Sequence, residues 1–312
     1  MSDVFETKEL KPMLIGEMQE AFDSKDFIYE LKLDGERCVA YLDPNKGTEL
    51  RNKRNMKMLA KVPELSEIHL QVNRRCILDG ELIIIKDGKP DFFEIQRRSL
   101  TSNEFKIYLQ SSKYPASFTA FDILYYEDRE IVNLPLMKRK ELLDNVVNEN
   151  EKLSVSRYIE ERGVDFYNLS EQNELEGIVA KRKDSKYFYD KRTKDWIKIK
   201  NLKDDDFVVC GYIEKENNII SVVLGQYLDN ILIYKGHVTL GVSTDDFKII
   251  STVRKTDYSP FQTLPQGNEN AVWLEPLLVC TVKFMLKTSG GSMRQPVFKG
   301  IRNDKSPEEC RM

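Results

Sequence analysis

The sequence predicts an α+β fold over residues 1–203 followed by a small β-barrel over 204–312, with the OB-fold the leading candidate for the barrel. Three observations carry this reading. The first two-thirds mixes strand-like alternation with helical spacing. The polar run NLKDDDF, Asn201 to Phe207, interrupts that mixture and marks a boundary. Beyond it the chain holds short strand-like segments, FVVCGYIE, IISVVLGQYL, ILIYKGHV and LLVCTVKFML, separated by Asn, Asp, Gly and Lys.

Each element has its own signal. DFIYELKLDGERCVAYLD alternates apolar and polar residues on both sides of Asp34-Gly35 and reads as two strands around a tight turn. RRCILDGELIIIKDGKPDFFEI reads as a second strand pair, turning at Asp87-Gly88. FTAFDILYY, almost wholly apolar, reads as a central buried strand. PLMKRKELLDNVV places Leu136, Leu142, Leu143, Val146 and Val147 at helical spacing behind Pro135, a residue suited to a helix start.

Composition bounds the function classes. At 312 residues the chain can hold two cores, and its charged content of 32% suits a large polar surface. No apolar run is long enough to span a bilayer, and the N-terminus lacks the apolar stretch of a secretory signal, so the expected location is the cytoplasm. The five cysteines are scattered without a C-x-x-C pair, which argues against a zinc site and for unpaired thiols. A net charge of −3 gives no general affinity for nucleic acid, but the stretch from Lys181 to Lys203 is locally basic. By itself such a run reads as a solvated face.

The chemistry concentrates in ELKLDGER. Strand alternation puts Glu30, Lys32 and Asp34 on one face and Tyr29, Leu31 and Leu33 on the other. A lysine between two acids reads by itself as a surface salt-bridge ladder. To act as a nucleophile it must lose its proton, which the flanking carboxylates oppose. Cationic neighbours, burial or a metal must act the other way, and the basic cluster around Lys198 can supply the first of these. Lys198 and Lys200 lie two apart on a strand, so both can point at one phosphate.

KLDGER resembles the nucleotidyl-lysine motif, K-x-D-G, of the covalent nucleotidyltransferases, the group of DNA ligases, RNA ligases and mRNA capping enzymes. Further motifs follow in the family's order: Arg54-Asn55; Asp79, Gly80 and Glu81 in LDGELI; Phe121 and Asp122 in FTAFDILY; Glu176, Gly177 and Lys181 in LEGIVAK; Trp196, Lys198 and Lys200 in DWIKIK. FKGIRNDK resembles the R-x-D-K motif of the ligase OB domain. The likeness covers nearly the whole chain and is nearest to the ligase module of bacterial end-joining ligases, the ligase D group. VKFMLKTSGGSMRQPVFKGIRNDK and FDILYYEDREIVNLPLMKRKELL both share that group's character.

The resemblance implies an ATP-grasp-like nucleotidyltransferase (adenylation) domain of two packed antiparallel sheets with flanking helices, then an OB-fold. It implies an ATP-dependent DNA ligase that seals nicks in duplex DNA through a lysyl-AMP. Lys32 is then the nucleophile, assisted by Asp34, Lys198 and Lys200. Glu176 resembles the metal ligand, and Glu81 a ribose or metal contact. Phe121 resembles the residue that stacks on adenine, and Glu30 the one that reads its amino group. Arg37 and Arg54 resemble contacts to the nick phosphate and the ribose, and Lys181 belongs to the same nucleotide-binding set. Arg302, Asp304 and Lys305 resemble the segment that orients the pyrophosphate leaving group, which implies a domain motion hinged near Asn201 to Phe207. ATP and Mg²⁺ are the expected cofactors, with Mn²⁺ as an alternative. Expected partners are nicked duplex DNA and end-joining proteins such as Ku, with the ligase itself a monomer, on the nucleoid if the source is bacterial. The rival readings are an RNA ligase or GTP-using capping enzyme and a non-catalytic OB-fold binder. Trp-Ile-Lys-Ile-Lys and the R-x-D-K ending favour DNA ligase.

Overall fold

The computed structural model describes residues 3–216, 219–263, 266–285 and 293–312. Residues 286–292, part of the C-terminal stretch that carries the ligase D likeness, lie outside these. The chain separates into two compact units, Met1–Asn201 and Leu202–Met312.

In chain order the first unit holds helix α1 (Val4–Thr7), strands β1 (Leu14–Met18), β2 (Ser24–Leu31), β3 (Glu36–Asp43), β4 (Gly47–Asn52), β5 (Cys76–Lys86) and β6 (Lys89–Pro90). Helices α2 (Phe92–Leu100) and α3 (Glu104–Lys113) follow, then β7 (Ala116–Tyr126), β8 (Arg129–Glu130) and α4 (Leu136–Val146). It ends with β9 (Leu153–Val155), β10 (Tyr158–Glu161), α5 (Gly163–Gln172), β11 (Gly177–Arg182) and β12 (Arg192–Lys200). Two sheets form. One runs β1-β12-β11-β2-β10; the other runs β4-β3-β5-β7-β8, with β6 on β5 and β9 on β7. Both are antiparallel except for the parallel pairs β1/β12 and β7/β9.

The strands on either side of Asp34-Gly35 form where alternation places them, but they do not make a hairpin: β2 belongs to one sheet and β3 to the other. Gly35 sits at the crossing, where a Cβ would lie 2.1 Å from the Leu82 carbonyl oxygen. The turn at Asp87-Gly88 does join a strand pair, β5 and β6. The second strand stops after two residues, because Asp91 caps a helix by accepting from the Phe93 and Glu94 amides. FFEI is therefore helix, not strand.

Three apolar layers hold the unit together. Tyr29, Ile178, Ala180, Ile197 and Ile199 pack with Phe166 and Tyr167 of α5. Met13, Val39, Tyr41, Ile77, Phe121, Leu124 and Trp196 fill the space between the sheets. Cys38, Leu78, Leu82, Ile95, Phe118, Ile123 and Leu143 bury the far face of the larger sheet against α2 and α4. β7 is central and buried, as its apolar run predicts.

The second unit is a barrel. Strands β13 (Lys203–Lys215), β14 (Ile219–Leu228), β15 (Ile231–Val238), β16 (Lys255–Thr256), β17 (Val272–Phe284) and β18 (Val297–Arg302) form one sheet, with helix α6 (Thr244–Thr252) inserted. Its order is β15-β14-β13-β17, with β16 and β18 both on β17. A single parallel bridge between Leu240, just past β15, and Val297, at the start of β18, brings the two ends of the sheet together. The polar run Asn201–Phe207 is mostly strand, since β13 begins at Lys203 and pairs Lys203 to Phe207 with Phe284 to Cys280. Its acids are engaged: Gln226 donates to Asp205 at 3.0 Å, and Thr281 to Asp206 at 2.6 Å. All five cysteines are buried and free.

Helix α4 is anchored by charge as well as by Leu136 and Leu143. Arg139 donates to Asp122 of β7 through Nε at 2.7 Å and Nη2 at 2.8 Å, and to the Ser185 carbonyl at 2.9 Å; Arg139 and Asp122 are both fully buried. Breaking such a pair strands a buried ion, at roughly 3–5 kcal/mol. Asp122→Ala is expected to lose stability in that range in urea unfolding. A loss under about 1 kcal/mol, the level of an exposed pair, would show that Arg139 finds other compensation.

Candidate active site

The site grows from the register of β2, β11 and β12. Val179 lies between Glu30 and Lys198, Lys181 opposite Trp196, and Gly177 opposite Lys200. Tyr29, Ile178, Ala180, Ile197 and Ile199 go to the α5 side, so the alternate residues face the other sheet. β2 ends at Leu31, but the Lys32 amide still donates to the Gly177 carbonyl at 2.9 Å. That bond sets Lys32 beside the carboxylate of the neighbouring Glu176. Gly177 has φ +126°, and a Cβ there would lie 2.1 Å from the Ile199 carbonyl oxygen, so only glycine suits the position.

The opposing sheet contributes Arg37, Glu81 and Phe121. Arg37 and Glu81 are direct cross-strand partners. Between them the sheets frame a cleft of ≈ 70 Å³ lined by Glu30, Lys32, Arg37, Glu81, Phe121, Lys181, Val179 and Trp196, with Ile15, Leu31 and Leu33. Its mix of aromatic faces and charged groups suits a small organic ligand. Trp196 and Phe121 meet edge to face at 5.9 Å. The Lys181 ammonium lies 4.3 Å from the Phe121 ring and 4.2 Å from the Trp196 ring, and the Arg37 guanidinium 4.4 Å from Phe121.

Charges in and around the cleft are arranged in distinct groups. Lys32 Nζ is 2.9 Å from Glu176 Oε1, and Lys200 Nζ is 3.6 Å from the same oxygen. Burial lowers the Lys200 pKa, and the charges of Lys32 and Lys198 add to that. Arg37 grips Asp79 through Nε and Nη2, both at 2.6 Å, and Tyr187 donates to Asp79 at 2.6 Å. Glu30 is ion-paired to Lys140 through Oε1, and through Oε2 it accepts from Lys181 and Ser156, each at 3.0 Å. Glu81 differs: among the described residues it makes no hydrogen bond or ion pair. Burial raises its carboxyl to about 8, helped by the charges of Glu176 and Asp79 against those of Arg37 and Lys32.

The remaining candidates fall elsewhere. Asp34 is buried but does not line the cleft, because the strand has ended and alternation no longer applies. Arg54 is exposed on the turn after β4, in a neighbouring groove that shares Arg37 with the cleft and is also lined by Lys53, Lys57 and Lys61. The basic stretch 181–203 is not one solvated face: Lys181 is buried, while Arg182, Lys183 and Lys194 pair with Asp184, Glu160 and Glu17. In the second unit, Arg302 grips Asp304 through two bonds of 2.7 and 2.8 Å, which holds the Asp304 carboxyl down to about 2. Lys305 donates to Asp206 at 2.9 Å. Two contributors had no assigned role in the sequence reading. Trp196 is in phase with Lys198 and Lys200, so alternation places it as a cleft wall. Lys140 carries no such signal, being one of several charges on an amphipathic helix.

A lysine set against a carboxylate and a second lysine, beside an aromatic slot between two sheets, with a separate small barrel, defines a nucleotidyltransferase-type ligase architecture. Residues 11–200 match the ATP dependent DNA ligase domain and residues 215–305 the ATP dependent DNA ligase C terminal region. The chain belongs to the ATP-dependent DNA ligase family. It is 28% identical over 294 residues to the SPbeta prophage-derived DNA ligase-like protein LigB of Bacillus subtilis, covering 94% of this chain and 99% of that protein. It is 27% identical over 318 residues to the multifunctional non-homologous end joining protein LigD of Mycobacterium bovis, covering 98% of this chain but only 40% of LigD. Among solved structures, a mycobacterial DNA ligase D complexed with ATP and MES aligns over 97% of this chain and 98% of its own, with a TM-score of 0.57 and 26% identity. No helix among the described residues is long and apolar enough to cross a membrane.

The Glu81 shift has a signed consequence. Its folded value, about 8, lies above the ordinary 4.5. Between those pH values the folded chain holds a proton that the unfolded chain has released, so Glu81 makes stability fall as pH rises. Glu81→Gln is expected to flatten the ligand-free melting temperature across pH 5 to 8 relative to wild type. Parallel profiles for the two proteins would mean that Glu81 titrates normally.

Proposed function

We propose that this chain seals 5′-phosphate/3′-hydroxyl nicks in duplex DNA through an adenylate carried on Lys32, in DNA repair or end joining. The observation that carries this reading is Lys32 Nζ, held 2.9 Å from Glu176 at the wall of an aromatic cleft with Lys200 on the same carboxylate. In the first step neutral Lys32 Nζ attacks the α-phosphorus of ATP; a P–N bond forms and pyrophosphate leaves. A 5′-phosphate oxygen at the nick then displaces Lys32 and takes the AMP. Finally the 3′-hydroxyl oxygen attacks that 5′-phosphorus, AMP departs, and the phosphodiester is closed.

The chain's own groups fit these steps. Glu176 holds Lys32 in place, with the Lys200 ammonium on the same carboxylate oxygen. Lys198 and Lys200 face the cleft side of β12 and neutralise phosphate charge as it develops. Phe121 and Val179 offer faces to the base. Arg302, Asp304 and Lys305 serve the pyrophosphate. Glu81 and Glu176 suit Mg²⁺, or Mn²⁺ in its place: a cation near Glu81 would relieve the burial and carboxylate repulsion that raise its pKa. Mg²⁺ is bound by one or two carboxylates completed by phosphates and water, which needs no third protein acid. Bound there, the ion would offset phosphate charge. The reading carries with it the cytoplasm as the place of action, on the nucleoid if the source is bacterial. The names of the LigD relatives favour an end-joining setting, where an end-binding protein such as Ku would help grip the duplex.

Two outcomes test this. Incubated with Mg²⁺ and α-labelled nucleotide, the wild type is expected to retain label from ATP and not from GTP after denaturation. Lys32→Ala and Lys32→Arg should retain none, because arginine stays protonated. Label on Lys32→Arg at the wild-type rate would remove Lys32 from the role, and label from GTP would point to a capping enzyme. Asp304→Ala and Lys305→Ala should lower ATP-dependent sealing far more than sealing of a pre-adenylated nick. Equal losses in the two assays would mean that the tail does not act on the leaving group.

A further inference from the structure

Three buried side chains meet at the end of the cleft. Glu30, Lys140 and Lys181 are each no more than 3% exposed. Their roles differ by position. Glu30 and Lys181 line the cleft; Lys140 does not, reaching Glu30 from α4 behind it. Lys181 and Ser156 share Oε2, and Lys140 is ion-paired to Oε1.

One lysine is enough to neutralise Glu30. A second buried ammonium leaves the group with an excess positive charge, and burying an ion is costly unless something offsets it. An apolar side chain would be the ordinary solution for a helix face this deep. The excess charge already bears on Lys181, whose pKa burial lowers to about 8 with the Lys140 charge adding to the effect.

The arrangement makes sense when a base enters. A ligand in the cleft competes with Lys181 for Glu30, because both stand on the open side. Were Lys181 the sole counter-ion, drawing it away would strand a buried carboxylate. With Lys140 behind, Glu30 stays paired and stays an acceptor. A charged acceptor suits the exocyclic amino group of adenine and repels the carbonyl oxygen that guanine carries at the same place. We infer that Lys140 is a specificity-determining positioning residue, holding Glu30 as the acceptor for the adenine amino group from outside the nucleotide site. This rests on the reading of the cleft as the nucleotide site.

The test measures binding, so it does not depend on transfer to Lys32. Affinities of wild type, Lys140→Met and Lys140→Arg are compared for the α,β-methylene triphosphates of adenosine and of purine riboside, which lacks the 6-amino group. A hydrogen bond to a charged group predicts about a ten- to hundredfold wild-type preference for the adenosine compound. Lys140→Met should reduce that preference to about threefold or less, and Lys140→Arg should restore most of it. The ratio is internal, so partial destabilisation affects both ligands alike. Should Lys140→Met fail to fold, Lys140→Gln, neutral but polar, should still reduce the preference. An unchanged ratio in a folded neutral variant, with both affinities falling together, would overturn the inference and leave Lys140 a structural residue. So would a wild type with no preference. Labelling of Lys32 by ATP is read separately: its absence alone would sink the transfer reading, while the ratio would still decide the role of Lys140.

Discussion

The antiparallel register of β2 against β11, and of β11 against β12, fixes where the cleft-lining side chains of the smaller sheet can go. Because successive residues alternate faces, the same pairing that sends Tyr29, Ile178 and Ile199 toward α5 sends Glu30, Val179 and Lys198 the other way. A slip of one residue would exchange the two sets and put charges into an apolar layer. The apolar layer therefore secures the site. The bond from the Lys32 amide to the Gly177 carbonyl carries that register one step past the strand, which brings Lys32 to Glu176.

Charge burial is the second constraint. Asp79, Asp122, Glu30 and Glu176 are all buried, and each is met by at least one basic side chain: Arg37, Arg139, the Lys140 and Lys181 pair, and the Lys32 and Lys200 pair. Such pairs add little net stability over apolar packing, yet losing one partner is expensive. Their value here is placement. Asp79 turns Arg37 against Phe121, and Asp122, next to Phe121 on β7, is clamped by Arg139. Glu81 departs from this pattern, with no partner among the described residues, and its raised pKa is the electrostatic sign of that. A group left in this condition is poised to take a cation or a hydroxyl from outside.

The second unit is organised on a different principle. The ends of its curved sheet meet at the bridge from Leu240 to Val297, and its polar network centres on Asp206, which meets Thr281, Lys305 and Arg302. The acids of 203–207, which give that run the look of a linker, are strand residues because β17 pairs with their backbone while Gln226, Thr281 and Lys305 engage Asp205 and Asp206. Arg302 and Asp304 hold each other at the surface, a pairing that costs little to open in water.

By itself the sequence determined the class of each unit, the long strands β2, β3, β5, β7, β13, β14, β15 and β17, helix α4 and a set of candidate lysines and acids. Alternation, capping signals and short-range motifs are local, and local patterns are written in consecutive residues. It also placed Glu30 and Lys32 on one side, since that follows from strand geometry alone. The tertiary structure decided what lies between elements distant in the chain. It separated β2 from β3 into different sheets, because each strand found better partners than the other, and it shortened β6 in favour of a capped α2. It set Arg54 on an outer turn, left Asp34 off the cleft and brought Lys140 from α4 onto Glu30. A buried ammonium on a helix looks in the sequence like any solvated lysine. Only the packing of that helix reveals which charge it faces.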